Sequence, residues 1–370
     1  MNTTEQMTVS IVVPAYHEAE NLPRLMEEIS SAMDPTGWKW EVIVVDDNSR
    51  DGTAKVLKAL ASRYASLRYV IRRHDKGLSS AVLAGFDRAN GTVLVVMDAD
   101  LSHPPGAIGN LVRPLLDGSA DFVIGSRYVA GGGTQDDWGL FRKLNSTVAT
   151  MLGRPFAGKV RDPMAGFVAL RRETFLAADE LNPIGYKIGL ELMVKCGVKR
   201  VLETPIFFRN RLHGKSKLTV QEQLRYLEHL SRLYDYKFKK GSPRVKFLIT
   251  ALGSAIVGYL VALAVEAAGT HRLDAVAVGI MATLAMTSLF FGRYLRTQRK
   301  NVTSLHPWSA FLVICFVEFL VGIWLAWVLV PRWPFAAVVP FCLGTGILVR
   351  GVLRVASGLD VRGLRRRPLK

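Results

Sequence analysis

Apolar positions along this 370-residue chain follow two different rules. Up to about residue 240, short runs rich in Val and Ile alternate with longer stretches whose apolar residues recur at helical spacing, with charges and turn residues between them. That alternation predicts parallel strands joined by helices. Strands are expected at residues 9–14, 40–46, 68–72, 92–98 and 121–126. Helices are expected at 20–31, 53–64 and 77–90, the second with Asp51 and Thr53 placed as caps. Past residue 127 the alternation weakens through a Gly-rich loop, a helix around 140–152, and strands near 166–171 and 201–208. An open α/β sheet of this kind binds ligands at the carboxyl ends of its strands.

The remainder obeys the second rule. Four apolar runs, about 245–268, 273–291, 308–330 and 335–356, each come near the ~20 residues that a membrane-crossing helix needs. Ahead of them, residues 218–240 place Leu224, Leu227, Leu230 and Leu233 with Tyr226, Tyr234 and Phe238 among many charges. This suits a helix lying in the membrane interface, the alternative being a helix packed on the soluble core. The expected division is an α/β domain over 1–217, the amphipathic segment over 218–243, a four-helix membrane domain over 244–357 and a basic tail over 358–370. Arg293, Arg296, Arg299 and Lys300 lie between two runs, and Arg362, Arg365, Arg366, Arg367 and Lys370 follow the last. The other turns carry one Arg each, so the positive-inside rule puts both termini and the α/β domain in the cytoplasm. Glu266 and Glu318 fall within the runs, and an intramembrane carboxylate is either a functional group or a bundle-facing hydrogen-bonded one.

Charge and cysteine content narrow the classes. The chain has 48 Lys and Arg against 31 Asp and Glu, a net +17, which fits nucleic acid, anionic lipid or phosphorylated substrates. No basic–aromatic motif supports nucleic acid, and membrane topology accounts for much of the charge. Cys196, Cys315 and Cys342 are too widely separated for a disulfide framework or a CxxC metal site. The first residues have no positively charged lead before a short, β-branched stretch, so no secretory signal peptide is expected.

The chemistry concentrates at strand ends. MDADLSHPP at 97–105 sets two carboxylates one residue apart at the end of a β-branched run; in a strand, Asp98 and Asp100 point to the same side. Hard oxygen ligands there suit Mg²⁺ or Mn²⁺ on a diphosphate. VVDDNSRDGT at 44–53 and VSIVVPAYHEAENL at 9–22 repeat the theme, so Pro14, Tyr16, Glu18, Asp46, Asp47 and Asp98 should surround one pocket. Glu18 and Asp46 can accept hydrogen bonds from a base or ribose, and Tyr16 offers a flat face.

Together VVPAYHEAENL, VVDDNSRDGT, GLSSAVLAGF and MDADLSHPP resemble glycosyltransferase family 2, with its Rossmann-like GT-A fold. Further on, GSRYVAGGG, WGLFRKLNS, DPMAGF, GYKIGLELM and RLHGKSKL resemble its dolichol-phosphate mannose synthase branch, and the helical tail is similar to GtrA-like membrane domains. The resemblance implies transfer of mannose from GDP-mannose to a polyprenyl phosphate. Asp98 and Asp100 then match metal-binding acids, and Ser102 falls to the third metal-ligand position, where the family carries Gln, with an oxygen but a shorter reach. Pro14, Tyr16, Glu18, Asp46, Asp47, Lys76, Asp98, Arg211 and Lys217 fall to the donor nucleotide. Arg127, Arg142 and Ser146 fall to the acceptor phosphate, and Asp98, Asp100, Arg127, Arg142 and Lys217 to catalysis. A transferase using UDP-glucose, and a lipid translocator with a nucleotide-sensing domain, remain as alternatives. A processive polysaccharide synthase is disfavoured because QEQLRY at 221–226 lacks the Gln-x-x-Arg-Trp signature. Whether the chain acts alone or as a homo-oligomer is left open.

Overall fold

The computed structural model describes residues 8–135, 140–210, 220–239, 241–298 and 306–356. The chain divides into two compact units, Met1–Lys237 and Phe238–Lys370.

In the first unit, β1 (Val9–Ala15), β2 (Trp40–Asp46), β3 (Leu67–Ile71) and β4 (Val93–Val96) are parallel neighbours in the order β3-β2-β1-β4. The sheet continues through β5 (Phe122–Ser126), β7 (Val168–Arg171) and β8 (Val201–Pro205), ordered β4-β7-β5-β8 with β7 antiparallel to both neighbours. A two-stranded ribbon pairs β6 (Gly133–Thr134) with β9 (Phe207–Phe208). Strand alternation divides the core. Val9, Ile11 and Val13 of β1 join the buried faces of α1 (Leu22–Met33), α2 (Thr53–Arg63) and α4 (Ile108–Leu116). Val12 joins the opposite layer, with α3 (Leu78–Phe86), α5 (Leu140–Ala157) and α7 (Ile188–Lys195). A short α6 (Arg172–Leu176) follows β7. The helices α4, α6 and α7 were not anticipated from the sequence, and β4 stops at Val96, two residues short of Asp98.

The segment expected at the membrane interface is α8 (Val220–Lys237), and it is part of the first unit. Tyr226, Leu230 and Leu233 are buried with the α3/α5/α7 layer, each contributing on the order of 1.5–3 kcal/mol. Tyr226 Oη donates to the Ala149 carbonyl of α5 at 2.8 Å, and His229 Nε2 meets Glu191 Oε2 of α7 at 2.8 Å. The helix therefore packs on the α/β core, the alternative reading of its leucines, while Leu224 and Leu227 stay exposed.

The second unit consists of α9 (Ser242–Ala267), α10 (Arg272–Gln298), α11 (His306–Leu329) and α12 (Phe335–Ala356). Among the described residues three stretches are long and apolar enough to cross a membrane, Val245–Ala267, Arg272–Leu289 and Leu312–Leu329, while the apolar part of α12 is the shorter Phe335–Leu348. Ala262, Val276, Ala326 and Val338 are buried in the bundle, whereas Ile249, Leu289, Trp324 and Trp327 point outward. Glu266 closes the α9–α10 turn with Arg272 at 3.1 Å. Glu318 is buried on α11 against α12, where a Cβ at Gly346 would lie 2.7 Å from its Oε1, so the carboxylate as placed occupies the space a side chain there would need. The basic tail lies outside the described residues.

Candidate active site

Four parallel strands deliver four loops to one edge of the sheet, and each loop turns through a left-handed non-glycine residue. These are His17, Asn48, Asp75 and Leu101, with φ between 53° and 63°. Such conformations persist only where surrounding structure holds them, and they cluster at ligand sites. After β1, the exposed Tyr16 stacks on His17 at 4.1 Å between ring centroids. Glu18 accepts from Asn21 Nδ2 at 2.7 Å. After β2, the buried Asp46 accepts from the Ser49 amide and hydroxyl. Asp47 binds Arg72 Nε at 2.8 Å and the Gly77 amide at 2.7 Å, which fixes the loop carrying the exposed Lys76. Pro14, Tyr16, Glu18, Asp46, Asp47 and Lys76 thus share one edge, and the carboxylates of Glu18, Asp46 and Asp47 all brace the loops.

Asp98 and Asp100 come together in a turn past the end of β4, not on the strand that the alternation argument assumed. Asp98 keeps 30% of its side-chain surface, whereas Asp100 is buried at 7%. Ser102 is fully buried and donates its hydroxyl to Asp100 Oδ1 at 2.6 Å. Among the described residues no group of three His, Cys, Asp or Glu converges on one point. A divalent cation would be held here by two hard carboxylates, with substrate phosphate and water completing the shell, a donor set that fits Mg²⁺ or Mn²⁺.

Arg127 follows β5 and is seated by a buried fork on Asp162, Nε to Oδ2 at 2.7 Å and Nη2 to Oδ1 at 2.8 Å. Burial works against its charge, but the hydrogen bonds and attraction of Asp162 outweigh it and hold the pKa above its usual value. Asp162 opens DPMAGF, and that loop ties the site together. The Met164 carbonyl accepts from Lys187 Nζ at 3.0 Å, Gly166 borders Asp98, and Phe167 stacks on His103. Burial and then the Arg127 charge push Lys187 down to about 8, with Asp162 and Asp98 pulling partly back. Asp162, Lys187 and His103 were not singled out from the sequence, although all three lie in its motif segments. Arg142 and Ser146 lie on α5, their side chains outside the described residues, as are Arg211 and Lys217.

A mostly parallel seven-stranded sheet with two acids just past the end of its central strand has the architecture of the GT-A class of glycosyltransferase. A family model for glycosyl transferase family 2 matches residues 10–176. The chain belongs to that family and is a glycosyltransferase. It is 43% identical to the dolichol-phosphate mannosyltransferase of Pyrococcus furiosus over 254 residues, 68% of this chain and 70% of that protein. The enzymes of the same name from Mycosarcoma maydis and Saccharomyces cerevisiae are 39% and 40% identical, over 68% and 62% of this chain and 86% and 88% of theirs. Among solved structures, glucosyl-3-phosphoglycerate synthase from Mycobacterium tuberculosis with Mn²⁺ and UDP matches at 22% identity and a TM-score of 0.46, over 62% of this chain and 79% of that one.

Proposed function

We propose that this protein transfers mannose from GDP-mannose to the phosphate of a polyprenyl, dolichyl-type lipid, with inversion at the anomeric carbon. The observation that carries the reading is the DPMAGF loop, which gathers Arg127, Lys187 and Asp98 at one place. Fixed positive charge beside a carboxylate pair suits a reaction between an anionic acceptor and a diphosphate-bearing donor. The names of the three relatives support the mannosyl and dolichyl-phosphate assignment.

Each group then has a task. Tyr16, Glu18, Asp46, Asp47 and Lys76 form the nucleotide edge. Asp98 and Asp100 would hold Mg²⁺ or Mn²⁺, which would supply charge neutralisation for the departing nucleoside diphosphate. Ser102 orients Asp100 through its hydroxyl. Arg127, with Arg142 and Ser146 from α5, positions the acceptor phosphate, for which an Asp-seated guanidinium fork is well suited. Arg211 and Lys217 supply positive charge to the donor diphosphate. A phosphate monoester, with a second pKa of about 6, is already anionic at neutral pH, so the site positions the nucleophile and needs no strong general base. Four helices crossing the membrane, with both termini cytoplasmic, would keep the acceptor lipid in reach of the cytoplasmic nucleotide pool.

The test is a donor panel on the full-length protein with a polyprenyl phosphate, followed by NMR of the lipid product. GDP-mannose should be the preferred donor and the mannose β-linked. Turnover with UDP-glucose alone would replace the donor, and a retained anomeric configuration would overturn the single displacement.

A further inference from the structure

The scheme above leaves His103 without a task, yet this buried histidine addresses Asp98 through both of its nitrogens. Nδ1 accepts the Asp98 backbone N–H at 3.0 Å, and Nε2 lies 3.9 Å from Asp98 Oδ2. With Nδ1 an acceptor, the neutral ring carries its proton on Nε2, the edge that faces the carboxylate. The six-residue turn so closed runs through Leu101 at φ +63°, a conformation that needs an external hold.

The ring is itself clamped. Phe167 stacks on it at 5.0 Å and 15°, and Phe208 meets it edge-on at 5.6 Å. Gly166, one residue before Phe167, leaves open the space in which a Cβ would lie 3.4 Å from His103 Cε1 and 3.8 Å from each Asp98 carboxylate oxygen. Packing alone does not call for histidine here, because a phenylalanine would satisfy the same aromatic neighbours. The polar atoms are explained by Asp98.

We propose that His103 is a positioning residue that fixes the Asp98 turn and the direction of its carboxylate, with Phe167 and Phe208 as the clamp that fixes the ring. This rests on the metal-dependent reading, since the aimed carboxylate matters through the cation it binds. Groups that orient a ligand in this way typically change metal affinity about 10- to 100-fold when removed.

The test is Mn²⁺ titration by EPR on the full-length protein with excess GDP and, in parallel, UDP, beside thermal melts and metal-dependent kinetics. His103→Phe keeps the stack and removes both nitrogens. Its melt should stay near wild type, its Mn²⁺ affinity should fall at least about tenfold, and the KM for metal should rise more than kcat falls at saturating metal. His103→Asn, which returns an acceptor where Nδ1 stood, should recover part of the affinity, and His103→Gln, which cannot, should resemble His103→Phe. If His103→Phe does not fold, the contrast between Asn and Gln decides. Wild-type Mn²⁺ affinity in His103→Phe, or equal weakening in Asn and Gln, would overturn the proposal alone. A wild-type protein that binds no Mn²⁺ with either nucleotide would overturn the metal reading and this proposal with it.

Discussion

Among the described residues, buried charge is far denser in one unit than in the other. In the α/β unit, buried carboxylates are numerous and held by partners: Glu41 by Ser10 and Arg68, Asp47 by Arg72, Asp162 by Arg127, and Glu191 by His229 and Lys195. Several of these pairs set the loops of the candidate site. In the helical unit, large apolar side chains such as Trp324 and Trp327 face outward, and Glu318 sits in a notch made by a glycine. A water-facing unit can seat charge cheaply around a reaction, whereas a unit built for lipid keeps charge scarce. The residues that match the family 2 model, 10–176, likewise lie within the first unit.

The largest effect that would break this contrast comes from the acids. Asp98→Ala and Asp100→Ala should each lower transfer roughly 10³-fold, the several kcal/mol that a bound metal supplies, and chelation with EDTA should do the same until Mn²⁺ is restored. Glu318→Gln should leave transfer within about threefold. Rates measured side by side in one detergent would reverse the assignment if Glu318→Gln were the silent variant.

Next comes the buried fork. Asp162→Ala leaves Arg127 buried without its partner and should cost about 3–5 kcal/mol of stability, visible in denaturant melts, with a raised KM for the lipid phosphate. Arg127 is 11% exposed and Asp162 is fully buried, so water cannot take over the missing partner's role. A melt like wild type would show the fork to be dispensable.

In the helical unit, Gly346→Leu should destabilise by about 1–3 kcal/mol through overpacking against Glu318, with transfer at permissive temperature unchanged. The smallest effect is a pH dependence. Lys187, held near 8, is charged below that pH and neutral above it, so the KM for anionic substrate should be flat to about pH 8 and rise several-fold beyond. Lys187→Arg should move the rise to higher pH. A break at the same pH in Lys187→Arg would assign it to another group.

Legibility in the sequence followed the range of the interactions. The strands of the parallel half are readable because Val-rich runs such as β2, WEVIVVD, are buried on both faces, and local pattern alone specifies them. The site acids were readable because they follow those strands directly. The turn at Asp98–Ser102 was not, since its shape depends on His103 and on Phe167, more than sixty residues away. Asp162 and Lys187 were hidden for the same reason: their importance lies in partners that only the fold brings near. Residues 218–240 misled because amphipathic spacing looks alike for a helix on a membrane and a helix on a protein core. Tyr226, Leu230 and Leu233 face the core, while Leu224, Leu227 and Phe238 are left exposed.

The most direct measurement of the central claim is transfer of radiolabelled mannose from GDP-mannose to a polyprenyl phosphate by the full-length protein, with and without Mn²⁺, beside Asp100→Ala. The account predicts lipid-extractable label that requires the metal and disappears in the variant. Label transferred equally well by Asp100→Ala would contradict it.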